Sequence, residues 1–127
     1  MWIFTRYGFF SVSRHNRQTL AVRARARKHL VLLQNRLPFL KSYPILENTK
    51  TDYRYRILVP RNVWVDAMTT LTVEQHWPNV KDECSRFQND ETYTRVMAEV
   101  WFRMVEAQRS WGQKEEQLEE ENADVKA

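Results

Sequence analysis

The chain has 127 residues, enough for one domain with a sizeable apolar core. Apolar residues make up 43% and charged residues 28%, ordinary proportions for a globular protein; the two glycines exclude the P-loop and the dinucleotide fingerprint, each of which needs several glycines within one turn. The net charge of +4 hides a strong asymmetry. Residues 1–61 carry thirteen Lys/Arg against two acids, a balance of +11, whereas residues 62–127 carry seven against fourteen, a balance of −7. Such a split points to a polyanionic partner, to self-complementary association, or to one half neutralising the other.

In chain order, Trp2–Tyr7 and Phe9–Arg14 read as two short strands reversing at Gly8. Val22, Ala26, Leu30, Leu33 and Leu37 recur at helical spacing, which predicts a helix from about Gln18 to Leu37 ended by Pro38. In that helix Arg23 and Arg27 would border the apolar stripe on one flank, with Arg25 and Arg36 on the other. Residues 38–51 predict a loop. In TDYRYRILVPR alternation then places Tyr53, Tyr55, Ile57 and Val59 on one face of a strand over 53–59 and Asp52, Arg54, Arg56 and Leu58 on the other. Asn62 is a suitable N-cap for a helix over about 63–74. Pro78 breaks the chain, VKDECSRF forms a short helix, and Asp90 caps a last helix that Gly112 ends. That helix turns Val96, Val100, Trp101, Met104 and Val105 inward and carries Glu91, Arg95, Glu99 and Arg103 outward at four-residue steps. The acidic remainder lacks aromatic residues and is expected to be disordered.

The expected architecture is therefore α+β in the order ββαβαα: an antiparallel sheet of about three strands, the N-terminal hairpin plus 53–59, packed against about three helices. Residues 1–111 form the domain and 112–127 the acidic tail.

The leading constellation is an anion-binding surface of Arg14, Arg17, Arg23, Arg27, Arg54 and Arg56. Arginine suits phosphate and carboxylate because its planar fork donates two parallel hydrogen bonds. The plain structural alternative is that these side chains solvate a helix flank and a sheet face, or pair with the acidic half. His15, His29 and His76 show no ligand spacing with one another or with Cys84, so no metal or cofactor is called for. His29 reads as a packed core histidine and Cys84 as a small buried hydrophobe. Asp52, beside Arg54 and Arg56, reads as a turn or ion-pair residue, since neighbouring guanidinium groups favour its ionised form. A lone cysteine fits a reducing compartment, and no stretch approaches the length of a membrane span; the expectation is a cytoplasmic protein without a membrane partner.

MWIFTRYGFFSV, VRARARKHL, TDYRYRILV and NVKDECSRFQ together resemble a family of small uncharacterised bacterial proteins that begin Met-Trp-(Leu/Ile)-Phe-Thr and continue Gly-Phe-(Phe/Tyr)-Ser. The resemblance covers most of residues 1–108. It implies that Trp2, Gly8, Arg23, Arg25, Asp52, Tyr53 and Arg56 match the family pattern, and it implies no activity. The functional expectation is a non-catalytic binding module whose basic half engages an anionic partner, nucleic acid among the candidates. A protein–protein or self-association module using the same arginines against acidic groups is the alternative. An enzyme of a type without a recognisable catalytic set comes third.

Overall fold

A computed structural model describes residues 1–126. Its fold is α+β, built on a five-stranded antiparallel sheet: β1 (Trp2–Thr5), β2 (Gly8–Arg14), β3 (Thr19–Ala24), β4 (Leu46–Glu47) and β5 (Tyr55–Pro60). The strands lie in the order β1-β2-β3-β5-β4. Four helices accompany them among the described residues: α1 (Arg27–Arg36), α2 (Arg61–Val73), α3 (Val80–Gln88) and α4 (Glu91–Lys126). The sheet is thus two strands larger, and the helices one more, than the sequence predicts.

The N-terminal hairpin forms as expected, with Trp2 opposite Ser11 and Phe4 opposite Phe9. Gly8 is indispensable to the reversal. Its φ of +148° is open to glycine but strained for other residues, and a Cβ there would collide with the His29 ring.

The largest departure is in the expected helix over 18–37. Its front half is strand β3, paired with β2 through Val12 opposite Val22 and with β5 through Val22 opposite Ile57. Leu20, Val22 and Ala24 alternate at period two as readily as Val22 and Ala26 fit a helical stripe, and pairing with β2 and β5 decides the matter. Asn16 accepts through Oδ1 from the backbone N–H groups of Gln18 (3.0 Å) and Thr19 (2.9 Å), closing a turn that returns the chain onto β2. Only Arg27–Arg36 is α-helical. Within the expected 38–51 loop, Pro38–Ser42 forms a 3-10 turn and Leu46–Glu47 adds the edge strand.

One sheet face carries Ile3, Phe10, Val12, Leu20, Val22, Ala24, Ile57 and Val59, and it packs on Leu30 and Leu33 of α1 and on Trp64, Ala67 and Leu71 of α2. Helix α2 begins at Arg61 behind Pro60, whose missing N–H costs nothing at a helix start, so Asn62 is not its cap. On the opposite face Phe4 and Phe9 pack against a small second cluster of Cys84, Tyr93 and Met97 from α3 and α4. Asn79 caps α3, accepting from the N–H of Asp82 at 3.0 Å. Asp90 caps α4, accepting through Oδ1 from the N–H groups of Thr92 (2.9 Å) and Tyr93 (3.3 Å).

Helix α4 does not stop at Gly112. It continues through the acidic segment to Lys126, which overturns the expectation of a disordered tail for every described residue of that segment. Glu, Gln, Lys and Ala are all good helix formers, no proline intervenes, and one interior glycine costs only about 1 kcal/mol. Nor does α4 bury the stripe expected to face inward: only Tyr93 and Met97 are buried, while Val96, Val100, Trp101 and Met104 are exposed.

Candidate anion-binding face

Cross-strand register brings Trp2, Ser11, Arg23 and Arg56 into one row across β1, β2, β3 and β5. Strand alternation puts this row on the face opposite the main core. Arg23 and Arg56 are direct cross-strand partners, a placement that sets two positive charges side by side and disfavours the sheet.

The groups that receive these charges are neutral. Arg23 donates from Nη2 to Ser11 Oγ at 2.7 Å, and its guanidinium carbon lies 4.6 Å from the centroid of the Tyr53 ring. Arg25 approaches the same ring to 4.3 Å and donates to the carbonyl of Asp52 at 2.9 Å. Arg56 donates from Nη2 to Thr51 Oγ1 at 3.2 Å and to the Tyr53 carbonyl at 3.4 Å. Three arginines thus converge on the 51–53 turn. They are held by a ring face, hydroxyls and carbonyl oxygens, and none makes an ion pair with a carboxylate among the described residues. The Nε atoms of Arg23 and Arg56 are buried without a hydrogen-bond partner, an energetically costly state for a charged group.

Elsewhere the two halves of the chain do neutralise each other. Arg36 donates to Glu74 at 2.6 Å, Arg6 donates to Glu83 at 3.1 Å, and Lys28 pairs with Asp90. Tyr7 also donates to Glu74, at 2.6 Å; burial, followed by this carboxylate, pushes its phenol up. Hydrogen bonds from Arg86 and Arg6 hold Glu83 below the usual carboxylate range. The Arg6 guanidinium lies 4.7 Å from the Trp77 ring and 5.0 Å from that of Phe87.

The six arginines singled out from the sequence therefore separate. Arg23 and Arg56 come together. Arg54 is withdrawn by an ion pair with Glu47 at 2.7 Å. Arg14 ends β2 and Arg17 sits in the exposed β2–β3 turn, while Arg27 is the exposed first residue of α1. None of these three makes an ion pair with a described residue, and none contacts the 51–53 turn through a hydrogen bond. What sequence reasoning missed as partners of Arg23 are Arg25 and Tyr53. Helical spacing joins Arg23 to Arg27, but on a strand it is the residue two along that shares a side. Asp52 is a turn residue as expected, its carboxylate accepting from the N–H of Tyr53 at 3.1 Å.

Beside this cluster lies an open cavity of about 550 Å³, walled by Trp2, Phe4, Phe9, Tyr53, Tyr93 and Val96, with Arg25 and Lys28 also lining it. His29 lines it too. Its Nδ1 accepts from the N–H of Phe9 at 3.4 Å, and burial, reinforced by Lys28, lowers its pKa to about 4, so the ring is neutral at physiological pH. Burial raises the Cys84 thiol to about 11, which keeps it protonated and matches its reading as a packing residue. Tyr93 donates to the Thr5 carbonyl at 2.8 Å, and burial raises its phenol as well. No group of three or more metal-ligating side chains occurs among the described residues, and no described helix is long and apolar enough to cross a membrane.

No protein-family model, curated protein or solved structure matches this chain.

Proposed function

We propose that the protein is a binding module that holds an anionic partner on the face formed by Arg23, Arg25 and Arg56. The observation that carries this reading is the convergence of three guanidinium groups on one turn without a carboxylate among their partners. A phosphate or carboxylate arriving there gains charge-assisted hydrogen bonds and relieves the repulsion between two directly opposed cations. Trp2, in the same row and 72% exposed, offers a flat apolar surface for a base or ring attached to the anion. Nucleic acid is the anionic partner that uses both features.

The test is a titration with labelled single- and double-stranded oligonucleotides at low and physiological salt. Binding should be visible at low salt and weaken steeply as salt rises, because phosphate contacts release counterions. The Arg23→Gln/Arg56→Gln double variant should lose roughly tenfold or more in affinity, whereas Arg54→Gln, which removes an arginine already paired with Glu47, should lose little. Absence of binding at low salt ends the nucleic-acid reading, and equal losses from both variants would show that the contacts are diffuse instead of centred on this face.

A further inference from the structure

Helix α4 spans 36 residues, about 54 Å at 1.5 Å per residue, yet only Tyr93 and Met97 in its first two turns are buried, and nothing from Ala98 to Lys126 is. That projecting part nevertheless has a pattern. Met97, Met104, Trp111, Leu118 and Val125 recur every seven residues, and Tyr93, Val100 and Ala107 fall three or four residues between the first of them. This is the seam spacing of paired helices. The alternate row turns polar at Lys114 and Glu121, so the continuous apolar part ends at Trp111. Most helical stability in proteins comes from packing of an apolar face, yet Val100, Trp101, Met104 and Trp111 are all exposed along this one.

The charge pattern selects the occupant and its direction. Residues 113–126 carry six acids and two lysines, so parallel pairing of two copies would set like-charged ends side by side. Antiparallel pairing centred on Met104 brings Trp111 of one copy level with Met97 of the other. Leu118 then lies level with Asp90, about 21 Å from the centre. The open cavity lined by Trp2, Phe4, Phe9, Tyr93 and Val96 lies beside Met97, on the same helix, and Arg25 and Lys28 line the cavity as well. The acidic end of each copy therefore runs past Arg25 of the other, Lys28 being already paired with Asp90.

We infer that the protein associates with a second copy of itself through α4, antiparallel about Met104, with Trp111 of each copy filling the aromatic cavity of the other. A two-fold axis makes the contact self-complementary and closed. The inference stands on α4 and the cavity and does not rest on the anion-binding reading, although Trp2 and Arg25 belong to both surfaces, so a second copy and an anion would compete for them.

Sedimentation velocity of the full chain from micromolar to hundred-micromolar concentration tests it. A dimer is expected. Trp111→Ala, which keeps a strong helix former at an exposed position, should weaken it by about thirtyfold or more, the effect of removing a buried aromatic anchor. Orientation is read with single cysteines under mild oxidation: Met104→Cys, at the two-fold axis, should form a disulfide-linked dimer, while Val125→Cys should not. The unmodified chain, whose Cys84 is buried, is the control. A chain that sediments as a monomer throughout this range overturns the inference. So does efficient cross-linking of Val125→Cys, which would report parallel helices, or a dimer indifferent to Trp111→Ala.

Discussion

The two faces of the central sheet are made by the same strands and differ only in which alternate residues each presents. On the face towards α1 and α2, Phe10, Val22, Ile57 and Val59 are fully buried and contribute almost nothing polar. On the other, Ser11, Arg23 and Arg56 stand in one row, with buried donors that have no partner. Among the described residues the first face leaves one buried donor unsatisfied, the Trp64 indole N–H of α2, whereas the second sets like charges directly opposite one another and leaves the Nε atoms of both arginines without a partner. Stability made on one side permits strain to be kept on the other, and sites that bind are where such strain is expected to be found.

Four measurements put that contrast to the test. The largest effect is expected from Phe10→Ala on the core face, which should lower unfolding free energy by about 3–5 kcal/mol in urea melts. Next comes His29, at the seam of the two faces, with its ring 6.4 Å from that of Phe10 and 5.3 Å from that of Tyr93. In the unfolded chain it gains a proton near the ordinary imidazole value of 6.5, but in the fold only near 4. Between those values the unfolded chain holds more protons, so stability is full above the window and falls as pH drops through it, by up to about 3 kcal/mol. Melts from pH 7 to pH 4 should show this loss, and His29→Asn should flatten it. Ser11→Ala removes the hydroxyl that accepts from Arg23 and should cost about 1.5–2 kcal/mol, the lower end of the range for a bond to a charged group. The smallest effect has the opposite sign. Arg56→Gln relieves the charge facing Arg23 and should stabilise the protein by about 0.5 kcal/mol at low salt, an advantage that shrinks as salt is added. A loss as large as that of Phe10→Ala would mean that the two faces do not differ as described.

How much of this was legible in the sequence depended on the range over which each feature is decided. The N-terminal hairpin, the Asp90 cap, and the inward alternation of Ile57 and Val59 depend on neighbours within a few residues, and each was readable. Residues 19–24 were not, because LAVRA satisfies both periods and the deciding partners, Val12 and Ile57, lie far along the chain. The error carried over to the candidate site. Helical spacing groups Arg23 with Arg27; on the strand it stands beside Arg25 and opposite Arg56. Arg54 was legible as a polar-face residue, but its pairing with Glu47 depends on a two-residue edge strand inside an expected loop. The acidic tail was misread for another reason: composition reports whether a segment can bury itself, and a helix that projects from its domain is not asked to.

The five tryptophans are divided between these environments in a useful way. Trp64 is buried against the main core, and Trp77 lies beside the Arg6 guanidinium with its indole nitrogen enclosed, whereas Trp101 and Trp111 stand in water along α4. Their emission should therefore be a composite, blue-edged from the interior and red-edged from the helix and from Trp2 on the sheet. An added soluble quencher should extinguish the red component first, so the colour of the surviving light would show, without any label, whether the helix had found cover.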